Sequence, residues 1–111
     1  MKICVTARAS GIEAPVEERF GRAPYFVFVD TETGEAQSIA NGFADAAGGV
    51  GPRAMQVVVD GGAEVLITGQ MGGNAARALQ ASGIKAYTYR GAGRVADAVE
   101  EYSAGNLQPL L

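Results

Sequence analysis

Two short runs, Ile3 to Val5 and Val65 to Ile67, are apolar at every position, and a strand of that kind is satisfied only where both faces of its sheet are covered. That reading puts them together at the centre of a parallel or mixed sheet with helices on either side. The second half of the chain supplies the covering elements in alternation. A helix beginning near Asn74 carries Ala75, Ala76 and Leu79 on one face and stops at Gly83. Ile84 to Tyr89 reads as the last strand. Val95, Ala98, Val99 and Tyr102 then follow the i, i+3, i+4, i+7 spacing of a final helix that ends before Gly105. Strands alternating with helices imply right-handed parallel crossovers and a three-layer α/β/α sandwich. The tail from Asn106 to Leu111 carries no assignable pattern.

The first half reads differently. From Ala7 to Pro24 the pattern breaks into Ser10, Gly11, Pro15, Gly21 and Pro24 among charges, which predicts a long surface loop whose charged core is Glu17 to Arg22. Tyr25 to Val29 is aromatic and β-branched, Asp30 to Gly34 is a turn sequence, and Glu35 to Ala40 has the polar character of an edge strand, so a hairpin is expected. Asn41 to Gly51, with Gly42, Gly48, Gly49 and Gly51, reads as a mobile loop. Pro52 suits the first turn of a helix that places Met55, Val58 and Val59 on one face and ends at Gly61 and Gly62.

A chain of 111 residues suits one domain, residues 1–111. The net charge of −3 gives no general attraction to nucleic acid or anionic membranes, and neither is expected as a partner. No signal-peptide pattern follows Met1, no apolar stretch approaches membrane-spanning length, and the lone Cys4 allows no intrachain disulfide, all of which suit a cytoplasmic protein. Zero histidines and one cysteine remove His-rich and multi-Cys metal sites and the usual Ser or Cys triads, so no catalytic residue and no protein-ligated metal is expected. A magnesium-dependent nuclease needs clustered carboxylates at strand ends, and Asp30 stands at one without evident partners.

The 16 glycines exceed the usual share. If the first strand lies beside Val65 to Ile67 and the last strand lies beyond, their carboxyl ends share one edge, where Ala7 to Gly11, Gly69 to Asn74 and Arg90 to Gly93 converge. The last two feed helices, whose amino termini bring unpaired N–H groups and about half a positive charge each. If the return strand of the hairpin runs parallel to the first, Phe20 to Ala23 and Asn41 to Gly51 reach the same edge. Arg19, Arg22, Arg53, Arg90 and Arg94 then lie on or near a glycine-lined crevice. Taken singly, such a glycine more often serves a tight turn or close helix packing, and arginines are more often solvated surface charges than ligands; Glu17, Glu18 and Asp45 could neutralise several of them. Recurrence of glycine after successive strands is what favours the joint reading. No GxxxxGK or GxGxxG phosphate motif is present. Met71 reads as a gap filler or a hydrophobic rim, Cys4 as core, and the tyrosines as packing residues.

Val16 to Phe26, VEERFGRAPYF, followed by DTETG at Asp30 to Gly34 and, after a glycine-rich loop, TGQMGGNA at Thr68 to Ala75, resembles the dinitrogenase iron-molybdenum cofactor-binding domain family over nearly the whole chain. The resemblance implies a ribonuclease-H-like α/β/α layout with a five-stranded mixed sheet of order 3-2-1-4-5 and strand 2 antiparallel. Members include nitrogenase accessory proteins that carry the iron-molybdenum cofactor, and a small stand-alone protein that holds a molybdenum-copper sulfide cluster without covalent ligands. Some carriers in the family use His or Cys. This chain has no His and only a strand Cys, so the stand-alone type is the nearer likeness.

Motif positions carried over are Phe20, Gly21, Arg22, Gly69, Gly72 and Asn74; Arg19, Gly48, Gly49, Gly51, Arg53, Gln70, Met71, Arg90 and Gly91 join them as contacts on physical grounds. The expected function is non-enzymatic carriage of an anionic molybdenum-copper sulfide cluster, with the iron-molybdenum cofactor or a precursor as the alternative cargo. The alternative function is a protein-interaction or regulatory module, with a protein partner in a larger complex and no cluster.

Overall fold

The computed structural model describes residues 1–46 and 48–111. In chain order the elements are β1 (Lys2–Ala7), β2 (Tyr25–Asp30), β3 (Ala36–Ala40), α1 (Val50–Asp60), β4 (Val65–Thr68), α2 (Gly73–Ser82), β5 (Lys85–Thr88), α3 (Val95–Ser103) and β6 (Gln108–Pro109). They form one mixed sheet in the order β3-β2-β1-β4-β5-β6. β1 pairs antiparallel with β2 and parallel with β4, β2 pairs antiparallel with β3, and β5 pairs parallel with β4 and antiparallel with β6. The carboxyl ends of β1, β3, β4 and β5 therefore all lie along one edge.

Strand alternation divides the core into two layers. Ile3, Val5 and Ala7 of β1 join Val27, Val29, Val65 and Ile67 on the face covered by α3 through Val95 and Ala98. Cys4 points the other way, with Phe26, Phe28 and Leu66, toward Met55 and Val58 of α1 and Leu79 of α2. Helices thus cover both faces, as fully apolar central strands require. Burial without a polar partner pushes the Cys4 thiol well up from its usual range. Native protein is accordingly expected to leave Ellman's reagent unreacted and to titrate one thiol only after denaturant is added; rapid reaction of the native state would contradict the packing described for β1.

Four expectations are corrected. The sheet has six strands rather than five, because Gln108 and Pro109 add β6 beside β5, where Pro lacks a ladder donor and suits an edge. β5 is shorter than Ile84 to Tyr89, since only Lys85–Thr88 pairs with β4. Helix α1 starts at Val50, so Gly51 belongs to its first turn; Gly49, at φ 70°, turns the chain into it. Residues 8–24 do not form a surface loop throughout, because Ala14, Val16, Phe20 and Ala23 are buried. Amide bonds from Val16 to Gly93 O, Glu17 to Thr6 O and Phe20 to Gln70 O fix that segment against the sheet edge. Ala47, within the segment read as a mobile loop, lies outside the described residues. Phe43 N–H bonds the Asn41 side chain, which itself donates to Ala23 O.

Candidate functional site

The carboxyl end of β4 is where the buried segment meets the sheet. Glu18 O accepts the amides of Gly69 at 3.0 Å and Gln70 at 2.8 Å, and Arg19 and Gln70 form a parallel bridge. Beneath them Thr6 and Thr68 share a hydroxyl hydrogen bond of 2.8 Å, and Thr6 donates to Glu17 O at 2.6 Å. This lattice carries Arg19, Phe20, Gly21 and Arg22 to the mouths of α1 and α2. Phe20 is buried and meets Phe26 edge-on at 6.3 Å, so it anchors the turn from below.

A crevice of about 500 Å³ opens there. One wall is Arg19, Phe20, Gly21 and Arg22; the other is the start of α1 from Gly49 to Pro52; the floor and far side are Gln70 to Ala75, ending in the first turn of α2. The two helix starts touch, since a Cβ on Gly51 would fall 2.9 Å from the Cβ of Ala75. A Cβ on Gly21 would fall 2.8 Å from a methyl of Val50. Neither α1 nor α2 has a side-chain N-cap bond or an acidic residue in its first turn, so their leading N–H groups and the positive ends of both dipoles are not neutralised from within. No Asp, Glu, His or Cys among the described residues lines the crevice. Among the described residues no group of three His, Cys, Asp or Glu side chains converges anywhere. The donor set of amides, guanidinium groups and the Met71 thioether fits a preassembled anion and does not fit a bare cation.

Two arginines on the wall are held differently. Arg22 donates through Nη1 to Ala44 O at 2.8 Å and Ala46 O at 2.6 Å, which ties the turn after β3 to the crevice rim. Arg19 grips the Glu17 carboxylate through Nε and Nη2, both at 3.2 Å, and its amide donates to the same carboxylate at 3.0 Å. Glu17 is buried, which alone would raise its pKa; the hydrogen bonds and charge of Arg19, with Arg8 at 3.7 Å, outweigh burial and hold it below the usual carboxylate value.

Residues 1–105 match the family described as dinitrogenase iron-molybdenum cofactor. The chain belongs to that family. A comparison with curated proteins gave no match. Among solved structures, the apo form of the orange protein from Desulfovibrio gigas superposes with a TM-score of 0.92 at 39% identity, covering 97% of this chain and 91% of that one. A Thermotoga NifB-type protein of the DUF35 family, solved by NMR, superposes at 0.86 with 37% identity over 98% of this chain and 92% of that one. The strand order of this family member agrees with the layout its motifs imply, extended by β6.

Of the residues singled out from sequence, Arg19, Phe20, Gly21, Arg22, Gly49, Gly51, Gln70, Met71, Gly72 and Asn74 line the crevice together. Five do not. Gly48 is exposed beside Gly49. Arg53 lies over the Phe43 ring, 5.6 Å from its centroid. Gly69 stands behind the crevice with its amide spent on Glu18 O. Arg90 and Gly91 line a separate recess, and Arg94, on the β5–α3 loop, is paired with Glu13 and Asp97. The expectation that the loops after β1, β4 and β5 build a single cradle is corrected accordingly: the segment 15–18 lies between them. Sequence reasoning missed Val50, Pro52, Gly73 and Ala75 as lining. Pro52 and the small residues after Gly72 mark helix starts, and that signal could have found them. Among the described residues no helix is long and apolar enough to cross a membrane.

Proposed function

We propose that this protein, acting as one domain, carries a preassembled, anionic molybdenum-containing metal-sulfur cluster, held non-covalently in the crevice between the starts of α1 and α2. The observation that carries the reading is the contact of two uncapped helix N-termini beside Arg19 and Arg22 in a crevice that no acidic side chain lines among the described residues. Two helix ends supply about one unit of positive charge and several aimed N–H donors, and guanidinium groups add charge-assisted bonds. Met71, partly exposed on the crevice floor, offers a polarisable thioether to soft sulfur ligands. No protein thiolate or imidazole is needed, and no bond is made or broken by the protein. Membership of a family described by the iron-molybdenum cofactor, and likeness to the orange protein, support a cofactor-binding or accessory role. A molybdenum-copper sulfide is the cargo best suited to a site without thiolates. The buried, lone thiol suits a reducing cytoplasm.

The test is reconstitution. Apo protein incubated with tetrathiomolybdate and copper is expected to emerge from gel filtration with a visible chromophore and stoichiometric metal. Arg22→Ala is expected to weaken retention severalfold, because it removes a charge and frees the turn after β3. Elution of colourless, metal-free parent protein would sink the reading.

A further inference from the structure

We propose a second anion site, independent of the crevice, in the recess between the start of the loop after β1 and the loop that joins β5 to α3; its ligand is a tetrahedral oxyanion of the phosphate class. The recess measures about 260 Å³, is lined by Arg8, Pro15, Val16, Glu18, Arg90, Gly91 and Ala92, and shares no lining residue with the crevice. Two arginines therefore border one concavity. Arg90 is fixed there by its Nε bond to Gly69 O at 3.0 Å, which leaves its terminal nitrogens for another acceptor. Arg8 is anchored through its amide to Pro15 O at 2.9 Å, while its guanidinium is only loosely drawn to Glu17, at 3.7 Å.

The backbone adds to this. Among the described residues the amides of Gly91 and Ala92 donate to no protein acceptor. Both residues line the recess and are exposed, so these N–H groups are free to meet an anion bound beside the arginines. Glu17 marks the boundary, since its carboxylate is shared by Arg19 on the crevice wall and Arg8 on the recess wall. Glu18 is the opposing element: it also lines the recess, and its carboxylate has no cationic partner among the described residues, so its negative charge lowers affinity for an anion placed there. The volume exceeds that of a bare oxyanion and leaves room for a short organic group.

Inorganic phosphate and glycerol phosphate are the probes, titrated into 15N-labelled apo protein. Saturable shifts are expected at Gly91 and Ala92, with an isotherm separate from that of any shift at the crevice amides of Gly49 and Gly73. Tighter binding of glycerol phosphate identifies a phosphate ester as the ligand, and equal or weaker binding identifies the free ion. The double change Arg8→Ala with Arg90→Ala should cost at least about tenfold in affinity. Glu18→Gln, which leaves the Glu18 carbonyl bonds intact, should tighten binding severalfold. Shifts confined to the crevice, no saturable shift in either titration, or unchanged affinity in Glu18→Gln would each overturn the site.

Discussion

Gly69→Ala is expected to lower the melting temperature by about 10 °C and to abolish retention of the proposed cluster. A Cβ at this position would lie 2.6 Å from the Cβ of Glu18, 2.8 Å from its Cα and 2.9 Å from its carbonyl oxygen. Two of those atoms are backbone, so no rotamer change relieves the overlap; the segment that carries Arg19 to Arg22 must move off the end of β4. That movement breaks the paired amide bonds of Gly69 and Gln70 to Glu18 O and the bond from Phe20 to Gln70 O. Overpacking of this kind costs about 2 kcal/mol, and a domain of this size loses about 4 to 8 °C per kcal/mol. The crevice loses one wall at the same time, which is why the effect on cargo exceeds the effect on stability. Thermal unfolding and reconstitution measured on the same preparation check both. A variant that melts with the parent and keeps its colour would show that the wall is not fixed by this contact.

Glu17→Gln is the second large effect, and it acts through acid stability. The folded-state pKa of Glu17 is depressed from its ordinary 4.5: burial pushes it up, and the Arg19 hydrogen bonds, with the charges of Arg19 and Arg8, pull it further down. The unfolded chain therefore binds a proton at higher pH than the native chain does. The carboxylate contributes stability that is present above the ordinary value and is lost as pH falls through the folded one. The Gln variant should be about 1 to 2 kcal/mol less stable at neutral pH, a figure held down by the exposure of both arginines. Its acid limb should be flatter than that of the parent. Denaturant unfolding at neutral pH and through the acid range measures both features. Parallel acid limbs for the two proteins would assign the acid sensitivity elsewhere.

The central sheet was legible because its strands leave no alternative. Ile3 to Val5 and Val65 to Ile67 need cover on both faces, and the helices that follow them have the spacing to provide it. The edge that gathers the glycine-rich loops follows from the same parallel pairing. Less was legible between Ala7 and Pro24. Its buried residues Ala14, Val16, Phe20 and Ala23 repeat with neither helical nor strand period, and their burial depends on bonds to Thr6, Gln70 and Gly93, which local pattern does not encode. The division of the glycine loops into a crevice and a recess has the same origin, because it is the 15–18 segment that separates them. β6 escaped notice because two residues, one of them proline, carry no alternation to read. Arg53 and Arg94 show the limit of charge alone: one lies over Phe43 and the other binds Glu13 and Asp97.

The touching starts of α1 and α2 bear on selectivity. Gly51 and Ala75 leave no slack between the helices, so neither can lean toward its neighbour to grip a smaller guest. The gauge of the opening is set in the fold itself before any guest arrives. For the proposed cargo, an undersized anion is expected to lose reach to one set of amides and an oversized one to collide with Gly21 and Val50, while a guest of matching span would enter without reshaping its host.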